Sequence, residues 1–375
     1  MRYLAFVTNI HGHFMEYIHH IAMSIAKSAV DELYIVVPET IKEKQNLFQW
    51  PDTANIHWVY FEEKRLKTGR PLRDAYYSSK ELSRICREVK PQQIILLLLF
   101  ATMPFLPFMM PRGCKISGII YNIYLYRWRR QGILMKFQDV IKYFMLSRMK
   151  VFNKVFILND ATSTAMLNKI WHTDKFTYLI DPYLPLDKDK ITDCRKELGI
   201  STDKTVFSHI GSITRRKGTL YIFDIITKMK QSDRDKSCFV FAGRIWGDVR
   251  EDFYRQYATL RDTVQIIVKD EFCPYEFFGQ LCMSSDYIVL PYMNTCNSSG
   301  IIAYAAQFST PVIVPAGGMV PKLVRRYHIG KVIGGDFTES FISELPAFYS
   351  KQINGSDQYL REHTIEEFTA QILER

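Results

Sequence analysis

The sequence predicts an α/β protein built as two successive units, each a parallel sheet with helices on both faces. Three observations carry that expectation. Short, continuously apolar runs alternate with helix-length segments from end to end; strands apolar along their whole length are buried on both faces, as in parallel sheets. The rhythm breaks once, at Asp181-Pro182-Tyr183-Leu184-Pro185-Leu186-Asp187, where two prolines and several charges mark a linker. At 375 residues the chain can bury two cores.

In the first half the expected strands are 3–8, 33–37, 56–61, 93–100, 115–121, 154–158 and 176–180, separated by helices at 14–29, 72–89, 133–149 and 161–171. From Thr205 the alternation restarts, with strands at 206–210, 238–242, 264–268, 287–290, 312–314 and 331–333, and two helical segments close the chain from about 338 to 375. The expected organisation is a first domain over 1–182, a linker over 183–204, a second domain over 205–350, and a C-terminal helix within 351–375 that packs back on the first domain. No internal repeat and no low-complexity tract interrupts it.

Forty-nine basic residues against 39 acidic ones leave a net charge of +10, which suits an anionic partner. Nucleotide diphosphate, phospholipid and nucleic acid all answer that description; no nucleic-acid-binding motif accompanies the charge, so nucleic acid is set aside. A 14% aromatic content implies large aromatic cores or a surface that meets sugar or lipid. The seven cysteines (86, 114, 194, 238, 273, 282, 296) form no CxxC pair and no metal-like spacing, and read as reduced thiols packed as small hydrophobes. The opening residues are interrupted too soon by His11-Gly12-His13 to form a signal peptide, so the chain is expected to remain in the cytosol. Ile94 to Met110 is almost wholly apolar, but Pro104 and Pro107 fall inside it and a span needs ~20 apolar residues. A buried strand followed by a proline-rich loop is the expectation there.

The chemistry concentrates in the second half. In Phe207-Ser208-His209-Ile210-Gly211-Ser212-Ile213-Thr214-Arg215-Arg216-Lys217-Gly218 a strand ends at Gly211, the loop carries three consecutive cations, and Gly218 opens a helix. A cationic loop beyond a strand's carboxyl end, aimed at a helix start, suits a diphosphate; a solvated basic turn is the plainer alternative. GxxxxGK[ST] is absent, so this is no Walker loop. Further on, Leu290-Pro291-Tyr292 ends a strand and Asn297-Ser298-Ser299-Gly300 leads into the helix 301–308, where exposed backbone N–H groups can grip phosphate oxygens. An ordinary N-capped helix would look the same.

Together these segments resemble the donor-binding domain of the GT-B glycosyltransferases of family 4, the group 1 transferases. The matches are Gly211, Arg216-Lys217-Gly218, Phe241-Ala242-Gly243-Arg244, Asp270-Glu271-Phe272 with Tyr275-Glu276, the strand Asp286 to Tyr292, and Ser299-Gly300, Ala305 and Pro311-Val312. They cover residues 205–335; singly they are weak, and their order and spacing make them specific. The resemblance implies a GT-B fold, two Rossmann-like domains facing across a cleft, with nucleotide-diphosphate sugar as co-substrate, retention of anomeric configuration, and neither metal nor cofactor. It implies that Arg215, Arg216, Lys217, Ser299 and Gly300 hold the donor diphosphate, and that Gly211, Gly243, Arg244, Phe272, Glu276 and Tyr304 lie around the nucleotide and sugar. The family's two glutamates in E-x7-E fall here on Cys296 and Tyr304, neither acidic, and the arginine that often follows the strand-end glycine is Ser212. The donor sugar and the ribose contact are therefore left open.

In the first half, Gly12 and His13 follow the first strand where the family has a glycine-containing loop touching donor and acceptor; His13 is the candidate catalytic residue, with a surface histidine as the plainer alternative. Residues 127–154 carry eight cations (Arg127, Arg129, Arg130, Lys136, Lys142, Arg148, Lys150, Lys154) against Asp139 alone, interleaved with Trp128, Leu134, Phe137, Tyr143, Phe144 and Met145. Such a helix can lie on an anionic membrane, or simply solvate its basic face. The expected function is transfer of a sugar to a glycan or lipid-linked acceptor in surface polysaccharide or glycolipid assembly, at the inner face of the membrane. A non-catalytic protein of the same fold and a sugar-nucleotide epimerase are the alternatives.

Overall fold

The structure, a computed structural model, describes residues 1–8, 14–42, 48–62, 68–292, 298–350 and 356–375. It divides into two compact units, Met1–Asp181 with Ile365–Arg375, and Pro182–Thr364.

The first unit runs β1 (Arg2–Phe6), α1 (Phe14–Ala26), β2 (Glu32–Pro38), β3 (Ile56–Phe61), α2 (Pro71–Val89), β4 (Gln93–Leu96), α3 (Leu106–Met109), β5 (Lys115–Ile120), α4 (Ile133–Arg148), β6 (Phe152–Leu158), α5 (Ala161–Trp171) and β7 (Phe176–Leu179). All seven strands are parallel, in the order β3-β2-β1-β4-β5-β6-β7. Side chains alternate across a strand, so β1 sends Leu4 and Phe6 into one core and Tyr3 and Ala5 into the other. A strand with a core on each face must be apolar at every position, which is why the pattern reads as runs.

The second unit repeats the plan: β8 (Thr205–Ile210), α6 (Thr219–Lys228), α7 (Gln231–Arg234), β9 (Ser237–Ala242), α8 (Gly247–Leu260), β10 (Gln265–Lys269), α9 (Tyr275–Ser284), β11 (Tyr287–Val289), α10 (Ile301–Gln307), β12 (Val312–Pro315), α11 (Val320–Tyr327), β13 (Gly330–Ile333), α12 (Phe337–Tyr349) and α13 (Asp357–Glu362). Its parallel sheet has the order β10-β9-β8-β11-β12-β13. Cys238, Val240 and Ala242 of β9 face one core, Phe239 and Phe241 the other. Residues 183–204 pack onto this unit: Leu186 joins its core, Cys194 and Ile200 are buried in it, and Arg195 pairs with Asp286 at 2.9 Å.

The last helix, α14 (Ile365–Ile372), belongs to the first unit. Phe368 and Ile372 are fully buried there, contributing roughly 1.5–3 kcal/mol each. The Phe368 ring lies 4.9 Å from that of Tyr17, and Glu374 accepts hydrogen bonds from Gln93 (2.8 Å) and Ser117 (2.5 Å).

Two expectations change. The apolar run from Gln93 gives only a four-residue strand, after which Leu99–Thr102 form a 3-10 turn. Leu97, Leu99, Met103 and Leu106 are buried without extending the ladder, and apolarity alone does not separate those two uses. The C-terminal stretch holds, among the described residues, three helices, not two. Among the described residues no helix is long and apolar enough to cross a membrane.

Candidate functional site

In a sheet of this order the chain winds outward in both directions from one strand pair, and a crevice opens beyond the carboxyl ends of that pair. In the second unit the pair is β8 and β11, and the predicted cationic loop lies there. Gly211 ends β8 with φ +92° and donates its N–H to the Ala242 carbonyl at 2.9 Å. Gly243, at φ +136°, donates to the Lys269 carbonyl at 2.9 Å. A β-carbon at 243 would collide with the Gly211 carbonyl, so the loops after β8 and β9 meet backbone to backbone, an approach open only to glycine.

The loop then turns tightly. Lys217 donates its N–H to the Thr214 carbonyl (3.1 Å) and Gly218 to that of Arg215 (3.0 Å), leaving Gly218 at φ +70° as the entry to α6. The three cations diverge from this turn. Arg215 points to α8: its backbone N–H reaches Asp248 Oδ2 and its Nε the Asp248 carbonyl, both at 3.1 Å, and its guanidinium pairs with Asp252. Hydrogen bonds from Arg215 and then Arg255 hold the Asp252 carboxyl below its usual range. Arg216 is exposed and Lys217 half-buried, and among the described residues neither has an acidic partner. The Lys217 ammonium lies over the ring of Tyr292, 5.6 Å from its centroid, and 3.0 Å from where a Gly211 β-carbon would sit.

The segment leading into α10 closes on the same point. Ile301 Cδ1 is 3.3 Å from that Gly211 position, and the buried Ser299 donates to the Tyr292 hydroxyl at 3.4 Å. The carbonyls of Ser299 and Gly300 accept from Ile302 and Ala303, each at 3.1 Å, and so begin the helix. Gly211, Lys217, Ser299 and Gly300 are thus brought together, with Tyr292 between them.

The remaining predicted residues separate. Arg244, beyond β9, stacks on the half-exposed Trp246 at 5.7 Å. Phe272, beyond β10, is 83% exposed, and Glu276 is exposed in the first turn of α9. Tyr304 lies in the core, stacked on Tyr275 at 5.7 Å with Phe278 edge-on at 5.8 Å. Gly12, His13 and Cys296 lie outside the described residues.

Sequence reasoning missed His209. It is buried in β8, its Nδ1 is 2.9 Å from the Val289 carbonyl on β11, and its Nε2 is 3.0 Å from the Thr219 hydroxyl at the start of α6. Burial above all lowers its pKa to about 4, the hydrogen bond to Val289 opposing the fall and Lys217 adding to it. The available signal was one imidazole in an otherwise unbroken buried strand.

In the first unit, α4 carries the predicted basic segment. Asp139 is buried and bound by Arg127 (2.8 Å) and Gln131 (2.9 Å), so the one acid is neutralised. Tyr143 and Leu146 share Asp139's inward face. The opposite face is apolar and exposed: Ile133 (86%), Phe137 (62%), Val140, Ile141 and Phe144 (54%), at spacings of three and four residues. Exposed Arg129, Arg130, Arg148 and Lys150 flank it.

No family model matches the chain, and no curated protein matches it in sequence. Solved structures match it along its whole length. The Anabaena protein HepE in complex with UDP and glucose superposes with a TM-score of 0.71 at 12% identity, over 100% of this chain and 98% of that one. WaaG, a glycosyltransferase involved in lipopolysaccharide biosynthesis, gives 0.67 at 14% identity over 99% of both chains. Sucrose-phosphate synthase from Thermosynechococcus elongatus gives 0.70 at 11% over 100% and 97%. These likenesses establish the fold: two Rossmann-like parallel-sheet units of the GT-B type.

Proposed function

We propose that this chain is a glycosyltransferase that moves a sugar from a nucleotide-diphosphate donor to a glycan or lipid-linked acceptor, with retention of configuration and without a metal. The observation that carries the reading is Lys217, a cation without an acidic partner among the described residues, held over Gly211 and Tyr292 at the β8–β11 crevice. The solved complexes of HepE with UDP-glucose and with UDP, on the same fold, support a diphosphate as the anion it awaits.

In the proposed reaction the bond between the sugar's anomeric carbon and the β-phosphate oxygen breaks as the acceptor oxygen bonds to that carbon. The acceptor proton passes to the departing phosphate. Negative charge grows on the diphosphate as it leaves, so a cation fixed beside it stabilises the transition state more than the ground state. Arg216 and Lys217 take that role, Ser299 and Gly300 add polar groups, and Arg244 and Phe272 lie toward the nucleotide. His13 stays the candidate titratable group of the first domain, which takes the acceptor.

The apolar, cation-flanked face of α4 fits the same reading from the acceptor side. A face of this kind buries its apolar ridge in an anionic bilayer surface while its cations meet the headgroups. We place the enzyme at the inner face of a membrane, in assembly of a surface polysaccharide or glycolipid.

One observation favours a second reading, a non-catalytic protein that binds a nucleotide sugar: Tyr304, where the resembled family has an acid, is packed into the core. A thermal-shift screen against UDP, GDP, ADP, CMP and dTDP with their common sugars tests the first step. A ligand at 100 times its Kd adds about 2.7 kcal/mol. A shift with one nucleotide that Lys217→Ala abolishes, followed by transfer to an acceptor, supports the enzyme; a shift without turnover of the sugar favours the binding protein; no shift with any of them removes the donor site.

A further inference from the structure

We propose that His209 is a positioning residue for the donor site, setting the cationic turn through Thr219 and so fixing Lys217 before any ligand arrives. The inference rests on the reading of that turn as a diphosphate site. His209 makes two hydrogen bonds, and their chemistry fixes its state. The Val289 carbonyl can only accept, so the proton sits on Nδ1. Nε2 is then bare and accepts from the Thr219 hydroxyl, 3.0 Å away. An imidazolium would have to reverse that bond, turning the Thr219 hydroxyl away toward the Thr214 carbonyl, and would add a cation beneath Lys217; the lowered pKa follows from the same burial and neighbour.

The two partners give the histidine its leverage. Val289 belongs to β11, whose continuation supplies Pro291 and Tyr292; Thr219 directly follows Gly218 and begins α6. His209 thus ties the strand below Tyr292 to the residue that closes the cationic turn. The loop from Gly211 to Gly218 leaves the end of β8 and runs into α6 at Thr219, and one hydrogen bond across ten residues ties the strand before it to the helix after it. Thr219 Oγ1 also lies 3.4 Å from the Thr214 carbonyl, the acceptor of the Lys217 N–H. A cation on a turn held this way spends less ordering free energy when the phosphate binds.

The test uses inorganic pyrophosphate, which presents the anion without a base or sugar, titrated calorimetrically into the full chain and into Lys217→Ala, Thr219→Val and Thr219→Ser. Valine keeps the shape of threonine and removes its hydroxyl; serine restores it. The expected result is a loss of binding in Lys217→Ala, an affinity about tenfold lower in Thr219→Val, and recovery in Thr219→Ser. A merely structural histidine would lower the melting temperature of Thr219→Val and leave its pyrophosphate affinity at the parent value, which overturns the positioning role alone. Equal behaviour of the parent and Lys217→Ala, including no binding by either, overturns the diphosphate reading and the positioning role with it. If Thr219→Val does not fold, ring-nitrogen NMR of the parent decides. His209 should stay neutral with Nδ1 protonated between about pH 5 and 8 and shift its Nε2 resonance on adding pyrophosphate; a His209 that titrates near its ordinary value, or ignores the ligand, overturns the proposal.

Discussion

The α-carbon of Gly218 faces the Pro291 carbonyl oxygen so closely that a β-carbon at 218 would overlap it. This contact sets the start of α6 against the end of β11, and it is what the glycine of the Arg-Lys-Gly step is for. Positive φ adds a second constraint. Gly218→Ala is expected to cost at least about 2 kcal/mol, lowering the melting temperature by roughly 4–8 °C and weakening nucleotide binding. Gly247→Ala, at the open first position of α8, should stay within about 0.5 kcal/mol of the parent. Thermal melts of the two side by side decide it; equal stability would mean that the approach to Pro291 relaxes freely.

The divergence of Arg215 and Lys217 yields a sharper expectation. Lys217→Ala should lower sugar transfer by about 100- to 1,000-fold, the scale seen when one preorganised stabiliser of a growing charge is removed. Arg215 is already committed to Asp252 and to the Asp248 carbonyl, and its pair is exposed, so Arg215→Ala should change kcat/KM by less than about fivefold. A steady-state comparison on one donor checks both, and the opposite ranking would move the diphosphate to the other side of the turn.

The sheets were legible because a strand buried on both faces leaves a largely apolar run, unbroken in Cys238 to Ala242 and interrupted only by Ser208 and His209 in Val206 to Ile210. The cationic turn was legible for a related reason: three adjacent cations after a strand-end glycine cannot be core. What could not be read was direction. Nothing in Arg215-Arg216-Lys217 says that the first residue reaches back to α8 while the third lies over Tyr292; tertiary contacts decide that. His209 was invisible because its partners, Val289 and Thr219, are eighty and ten residues away. Tyr304 reads as a site position from alignment on Pro311, yet α10 is so short and so buried that its ring packs against Tyr275 and Phe278.

The outward face of α4 predicts a membrane phenotype separable from folding. The parent should float with vesicles containing anionic lipid and not with purely zwitterionic ones, and added salt should release part of it, since screening weakens the cations but not the apolar insertion. Phe137→Glu with Phe144→Glu should abolish flotation at unchanged stability, because both side chains already face solvent. Flotation undiminished in the double variant would show that this ridge is not the contact.

Three buried histidines make stability depend on acid in a defined window. Burial lowers the pKa of His20, His209 and His363 to about 4, from an ordinary 6.5. Above 6.5 these rings are neutral whether the chain is folded or not, so they contribute no pH dependence. Between 6.5 and 4 the unfolded chain takes up protons that the folded one refuses, and stability falls with pH; below 4 both states are protonated and the loss is complete. Each histidine costs about 1.4 kcal/mol per pH unit in that window, or roughly 3 kcal/mol by its lower end. His363 offers the cleanest isolation: its ring stacks on Tyr359 at 3.9 Å and donates from Nδ1 to the Tyr359 carbonyl at 2.9 Å, while Nε2 is buried without a partner among the described residues. His363→Phe keeps the stack and deletes the titration. Urea unfolding at several pH values should therefore show a variant less stable than the parent at pH 7 and with a shallower fall toward pH 4.5, by one proton's worth of slope. Parallel slopes would mean that His363 is protonated within the fold and that the acid dependence arises elsewhere.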